Sequence, residues 1–96
     1  MARVIRSEQA QQDLEHIFDY LDGQSVQAAD QFSIKFEMTS ELHAAHPQIG
    51  ASAEEYAPNL RQFTVWNYAI FYRPINDGIE LIRIIHGARD LPMLFQ

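Results

Sequence analysis

The hydrophobic periodicity of the chain changes once, near Pro47, and this change limits the possible folds more than any other feature. Before Pro47, apolar residues recur every three or four positions, which is the spacing of amphipathic helices. After it, short β-branched and aromatic runs are separated by turn residues, which is typical of strands joined by hairpins. Helices and strands kept apart in this way predict an α+β domain of two layers, with an antiparallel helical hairpin packed on one face of an antiparallel sheet.

The N-terminal half is predicted to form one short strand and two helices. Val4–Arg6 is β-prone, and Ser7 follows it as an N-cap with an acidic residue in the first turn. The first helix is expected to end at Gly23, because glycine commonly ends helices. Ser25 can cap a second helix from Val26 to Ala45, which the proline that follows must stop.

The second predicted helix carries apolar residues on two sides. One stripe consists of Ala29, Phe32 and Phe36, and the other of Ile34, Met38, Leu42 and Ala45. A helix with two apolar stripes needs two partners. We expect one stripe to pack against the first helix and the other against the sheet. The alternative is that part of one stripe stays open for another protein.

The C-terminal half is predicted to be a three-stranded antiparallel meander. Its strands are Leu60–Val65, Tyr68–Arg73 and Ile79–Ile85, with turns at Trp66–Asn67 and at Pro74–Gly78. Residues 47–59 have no usable period and are rich in Pro, Gly, Ala and Ser, so they are expected to form a connecting loop. The predicted element order is β-α-α-β-β-β, in a single domain that spans residues 1–96.

Composition restricts the partners and the compartment. The chain has 13 acidic and 7 basic residues and a formal net charge of −6, and Lys35 is its single lysine. Tight binding to polyanions usually requires several cations, so direct nucleic-acid binding is not expected. The chain has no cysteine, which fits a reducing compartment. Neither a leader nor a membrane span is predicted, and we expect a cytoplasmic protein.

Arg83 interrupts the aliphatic run of the last predicted strand. Strict alternation would put it on one face with Ile79, Leu81 and Ile85. A guanidinium is costly in a dry core, so Arg83 is predicted to pair with a carboxylate. The alternative is a groove on the sheet face away from the helices, which Arg61 could share.

No metal or other cofactor is expected. His43 and His46 are three residues apart at the end of the second helix, but no cysteine or nearby acid completes a zinc site. Both are predicted to be solvated residues of the last helical turn. His86 could act as a general base in principle, although at the end of an apolar strand a hydrogen-bonded structural role is favoured.

Four motifs, in the order of the predicted elements, are similar to a known family. They read A..DL..I..YL from Ala10, P..G from Pro47, LR.F.V.NY.IFYRP from Leu60 and DGIE..RI.HGARD from Asp77. Over nearly its whole length the chain resembles the ParE branch of the RelE/ParE family of type II toxin-antitoxin toxins. Trp66 departs from the pattern, since a small residue, often glycine, is expected in that hairpin turn.

The resemblance implies a bacterial toxin that is neutralised by a ParD-like antitoxin, in a heterotetramer or a larger complex. ParE-like members act on DNA gyrase and block replication, whereas RelE-like members cut messenger RNA on the ribosome. RNA cleavage needs several cationic and acid-base groups. The only candidates in this sequence are Arg61, Arg83, His86 and Arg89. The sequence therefore favours non-catalytic gyrase inhibition over an mRNA endonuclease, and the third alternative is a non-toxic member that only binds its antitoxin.

The resemblance, together with the two apolar stripes, also predicts two binding surfaces. The antitoxin is expected on the second helix, at Ala29, Phe32, Phe36, Met38 and Leu42. The target is expected near the C-terminus, at Arg83, Arg89, Leu91, Met93, Leu94 and Phe95. Asp90 is predicted to cap a final turn before Leu91.

Overall fold

A computed structural model describes residues 2–87 of the chain. The elements in order are β1 (Arg3–Arg6), α1 (Glu8–Gln24), α2 (Val26–Ala45), β2 (Ala51–Ser52), β3 (Arg61–Val65), β4 (Tyr68–Ile75) and β5 (Gly78–His86). The predicted α+β fold is confirmed, with a helical hairpin packed on a sheet that contains the predicted meander. Neither of the helices in the described part of the chain has the length and hydrophobicity of a membrane span.

The sheet has five strands in the order β1-β5-β4-β3-β2. The meander of β3, β4 and β5 is antiparallel, as predicted, whereas β1 pairs in parallel with β5. The short strand β2 lies in the segment that was predicted to be a loop throughout, and it pairs antiparallel with the start of β3. Pairing of two residues leaves no periodic signal in a sequence, so this strand was missed.

A single residue, Ser25, separates the two helices. Its backbone N–H donates to Leu21 at 2.9 Å and thereby closes α1, while its side-chain oxygen accepts the N–H of Ala28 at 2.9 Å and thereby opens α2. The predicted bounds of α2 are confirmed. The first helix runs one residue beyond Gly23, because Ser25 rather than the glycine supplies its C-terminal cap.

The core between the helices and the sheet is built from one face of α1, one stripe of α2 and the inner face of the meander. Phe32 and Phe36 of α2 are almost completely buried in it. The second stripe of α2 does not pack against the described residues as expected, because Ile34, Met38 and Leu42 are 62%, 64% and 51% exposed. The alternative of an open stripe is therefore the correct one.

A β-bulge interrupts the pairing of β5 with β4. Leu81 pairs with Tyr72 but Arg83 pairs with Phe71, so Ile82 is an extra residue on β5. The helix-side core contains Ile79, Leu81 and Ile84, whereas Ile85 belongs to a second cluster on the opposite face. The expected strict alternation along this strand is thus wrong beyond Leu81.

The start of the last strand is tied to the N-terminus of the chain. Gly78 has a φ of 155°, and a Cβ at this position would meet the backbone of Arg3. The adjacent Asp77 pairs with the Arg3 side chain, with 2.6 Å between Nε and Oδ2. The hydrogen bond from Arg3 lowers the pKa of Asp77 below its ordinary value of 3.8.

This lowered pKa of Asp77 predicts a small pH-dependent contribution to stability. Because the pKa is lower in the folded chain than in the unfolded chain, the contribution is present above 3.8 and is lost as the pH falls through the folded pKa. Asp77→Asn should therefore lower the melting temperature slightly at neutral pH, and the difference from wild type should vanish in acid. Equal differences at all pH values would contradict this, and melting curves from neutral pH into acid would measure it.

Candidate functional site

Arg83 forms an ion pair with Asp13 of α1 across the edge of the sheet. Its Nε lies 2.9 Å from Oδ2 and its Nη2 lies 3.4 Å from Oδ1, so both carboxylate oxygens are engaged. The side chains are only 18% and 11% exposed. The prediction that Arg83 pairs with a carboxylate is confirmed, and the alternative of a groove away from the helices is wrong because the partner lies on a helix.

The same carboxylate closes the open edge of β5. Beyond the short pairing with β1, the backbone of β5 faces α1, and the Ile84 N–H donates to Oδ2 of Asp13 at 2.9 Å. The hydroxyl of Ser7 donates to the carbonyl of Ile82 at 3.1 Å while it caps α1. Asp13 thus neutralises the charge of Arg83 and accepts a hydrogen bond from an amide on the sheet edge.

The partner of Arg83 was not predicted, although the sequence contains a usable signal for Asp13. Asp13 lies three residues after Ala10 and four before Ile17, both of which are buried on the inner face of α1. Residues at these spacings share one side of a helix. An acid on the border of an apolar helix face, in a chain whose last strand carries an isolated arginine, is the expected partner.

Arg61 contacts neither Arg83 nor Asp13, and it stabilises a loop instead. Its Nη1 donates to the carbonyls of Gln48 and Gly50 at 3.1 and 2.7 Å. The Tyr72 hydroxyl supports the same loop, accepting the N–H of Gly50 at 3.0 Å and donating to Pro47 O at 2.8 Å. Arg61 and Arg83 therefore do not share a groove, contrary to the alternative raised by the sequence.

The Tyr72 hydroxyl is predicted to stabilise this loop measurably. Tyr72→Phe removes the acceptor of the Gly50 N–H inside the protein, and an unpaired buried donor costs about 1–3 kcal/mol. We expect the free energy of unfolding in urea to fall by roughly 1.5 kcal/mol, whereas Tyr20→Phe, at an exposed site, should change it little. Equal stability of the two variants would contradict the role given to the hydroxyl.

The candidate RNA-cleaving residues within residues 2–87 are divided between two cavities. Arg61 lines one cavity with Arg73, whereas Arg83 and His86 line another with Asp13 and His16. The remaining candidate, Arg89, lies outside the described residues, as do Asp90 and the predicted target contacts Leu91, Met93, Leu94 and Phe95. Among the described residues, the candidate cations Arg61 and Arg83 therefore do not surround one phosphate position.

His43 differs from its predicted solvated position, while His46 is exposed as expected. The His43 ring stacks on Phe63 with 4.1 Å between centroids, and its Nδ1 lies 2.8 Å from Thr39 O. The aromatic surface of β3 reaches under the end of α2 and buries this side of the last turn. Within the described chain, no three His, Asp or Glu side chains form a group that could hold a metal ion.

The exposed stripe of α2 is the main apolar surface on the helices. We call Ile34, Met38 and Leu42 the α2 stripe; these residues are spaced by four and span about 12 Å of helix. The nearby loop adds Ile49, which is also exposed. Met38 and Leu42 were predicted to bind the antitoxin, but Phe32 and Phe36 were also predicted and are buried, so they cannot contact a partner in this fold. Ala29 is partly buried against the core.

The β3–β4 hairpin presents a second apolar surface near the end of β5. Trp66 has a φ of 54°, a conformation that bulky residues rarely adopt, and its ring packs edge-on against Phe32. A cavity of about 420 Å³ lies beside it, between the hairpin and α1, and Tyr20, Tyr68 and His86 contribute to its wall. Burial raises the pKa of Tyr68, and the neighbouring Tyr20 adds to the rise.

The comparisons with known proteins agree with this architecture. A solved structure described as "Chromosomal ParDE TA system from P. aeruginosa" matches with a TM-score of 0.71 at 19% identity, covering 90% of this chain and 96% of that chain. The fold is thus that of a small α+β domain found in a toxin-antitoxin system.

Sequence relatives make the assignment specific. The family described as "ParE toxin of type II toxin-antitoxin system, parDE" matches residues 4–91. Toxin ParE1 of Mycobacterium tuberculosis is 30% identical over 92 residues, with 94% of each chain covered. Toxin ParE3 of Caulobacter vibrioides is 28% identical over 92 residues, with 95% of this chain and 92% of that protein covered. The chain belongs to the ParE toxin family of type II toxin-antitoxin systems.

Proposed function

We propose that this chain is a toxin that inhibits DNA gyrase by binding, without catalysing a reaction of its own, and that a ParD-like antitoxin neutralises it. Membership of the ParE family supports the toxin role. Gyrase as the target and ParD as the partner follow from the resemblance of the sequence motifs to the ParE branch. A heterotetramer or larger complex with the antitoxin is part of the same proposal.

The α2 stripe is the observation that carries the antitoxin half of the proposal. Three large aliphatic side chains at a spacing of four, each more than half exposed, form the kind of surface that an amphipathic helix covers. Such surfaces rarely stay open on a monomeric protein. A segment of the antitoxin that is disordered when free and folds on binding would bury the stripe.

The contacts of the arginines support binding rather than RNA cleavage. Among the described arginines, Arg3, Arg6 and Arg83 are held in ion pairs with carboxylates. Arg61 and Arg73 donate to backbone carbonyls. Phosphate cleavage requires cations and acid-base groups preorganised around the reacting phosphate. The candidate residues Arg61, Arg83 and His86 are instead divided between two cavities.

The proposal is tested by expressing the chain in cells that lack the antitoxin. We expect growth and replication to stop, and co-expression of the ParD-like protein to restore both. Messenger RNA added to a translating extract with the purified chain should remain intact. Cleaved messenger RNA would favour the endonuclease, and unimpaired growth would favour a family member that only binds its antitoxin.

A further inference from the structure

Two arginines stand apart from the others because no described carboxylate neutralises them. Arg3, Arg6 and Arg83 each have a carboxylate oxygen within 2.6 to 2.9 Å. Arg61 donates only to the carbonyls of Gln48 and Gly50, and Arg73 donates through Nε to Pro58 O at 3.2 Å. A carbonyl orients a guanidinium without cancelling its charge.

The two unneutralised arginines share one polar cavity. It has a volume of about 240 Å³ and lies where β4 extends past the start of β3, between the loop at Gln48 and the loop at Glu54. Both arginines are half-buried and are held in place by backbone carbonyls. A fixed, partly desolvated guanidinium binds an oxyanion more strongly than a solvated one, since less of its freedom is lost on binding.

We propose that the cavity between Arg61 and Arg73 binds a carboxylate of a partner protein. The N–H donors of a planar guanidinium match the geometry of a carboxylate. Two guanidinium groups that line one cavity can therefore each bind one oxygen of the same carboxylate. A nucleic-acid backbone fits less well, because a polyanion requires a row of unpaired cations. The other described arginines are already in ion pairs, and the chain is acidic overall.

Glu54 sets the affinity of this site. Its side chain also lines the cavity, and its Oε2 accepts the Asn59 N–H at 3.4 Å, a long hydrogen bond. The carboxylate makes no ion pair with Arg61 or Arg73, but because it lines the same cavity it repels an incoming anion. Glu55, the next residue, is also exposed but does not line the cavity, so it provides a matched control.

The test is a titration of the isolated chain with sodium acetate at constant ionic strength, followed by NMR of the arginine Nε–H signals. Saturable shifts are expected at Arg61 and Arg73 and not at Arg3. Arg73→Gln should weaken acetate binding at Arg61 roughly tenfold, the loss expected for one charge-assisted hydrogen bond. Glu54→Gln should tighten binding, and Glu55→Gln should leave it unchanged.

The same titration with dimethyl phosphate, which also carries one negative charge, distinguishes the two kinds of oxyanion. Tighter binding of the phosphate diester than of acetate would overturn the carboxylate assignment. Shifts that do not saturate, or that are equal at Arg3, would overturn the site itself. Glu54→Gln and Glu55→Gln change exposed side chains and leave the core intact, so the comparison stands even where Arg73→Gln fails to fold. None of these readouts involves gyrase or the antitoxin.

Discussion

Replacing Asp13 by alanine is expected to lower the free energy of unfolding by about 3–4 kcal/mol, because breaking a mostly buried ion pair on one side leaves an uncompensated charge. The guanidinium of Arg83 would lose both of its carboxylate contacts. The amide of Ile84 would lose its acceptor at the same time. Urea denaturation would measure the loss in free energy. The rate of amide hydrogen exchange should increase over wild type, and the increase should be largest at Ile84.

Two further variants separate these contributions. Arg83→Met removes the cation but leaves the carboxylate bonded to the Ile84 amide, so it should cost less than Asp13→Ala. Glu15→Ala deletes an exposed carboxylate from the same helix and should change stability by less than about 0.5 kcal/mol. A loss for Asp13→Ala no greater than that for Glu15→Ala would mean that the pair does not hold α1 against the edge of the sheet.

Met38→Glu is expected to weaken antitoxin binding by about 100-fold, which corresponds to roughly 2.7 kcal/mol. Met38 is the middle residue of the α2 stripe and is 64% exposed in the chain alone. A carboxylate at the centre of an apolar interface would be desolvated without a partner, and central interface residues contribute most of the binding energy. The fold should be unaffected, since the side chain makes no core contact.

Thr64→Glu provides the matched control for that substitution. Thr64 is exposed on β3, and the residues on both sides of it point to the helix-side core, so the new charge would lie on the opposite face of the sheet. Both variants add one negative charge, but only Met38→Glu should lose affinity in a calorimetric titration with the antitoxin. Equal affinities of the two variants for the antitoxin would show that the α2 stripe is not its binding surface.

The parts of the fold that depend on local signals could be predicted from the sequence. The bounds of α2 follow from the cap at Ser25 and from the stop imposed by Pro47, both of which act within a few residues. The β3–β4 hairpin follows from two β-branched and aromatic runs around a short turn. The positive φ of Trp66 falls at the turn position where glycine is the expected residue, whereas the packing of its ring on Phe32 has no local sequence signal.

The parts that depend on distant contacts were missed. The parallel pairing of β1 with β5 joins residues more than 70 positions apart, and no local pattern encodes it. The bulge at Ile82 changes which residues of β5 face the helices. A prediction from strict alternation therefore put the residues after Leu81 on the wrong faces. The sequence pattern of a helix with two apolar stripes is the same whether the second stripe packs on a sheet or is exposed. Only the structure shows that Ile34, Met38 and Leu42 are exposed.

A supercoiling assay with purified gyrase, relaxed plasmid and ATP tests whether this ParE-family chain acts by inhibiting gyrase. We expect the chain to inhibit supercoiling in proportion to its concentration, and equimolar ParD-like antitoxin to restore supercoiling. Met38→Glu should still inhibit, but the antitoxin should rescue supercoiling only at much higher concentration. Undiminished supercoiling at a large excess of folded chain would rule out gyrase as the target.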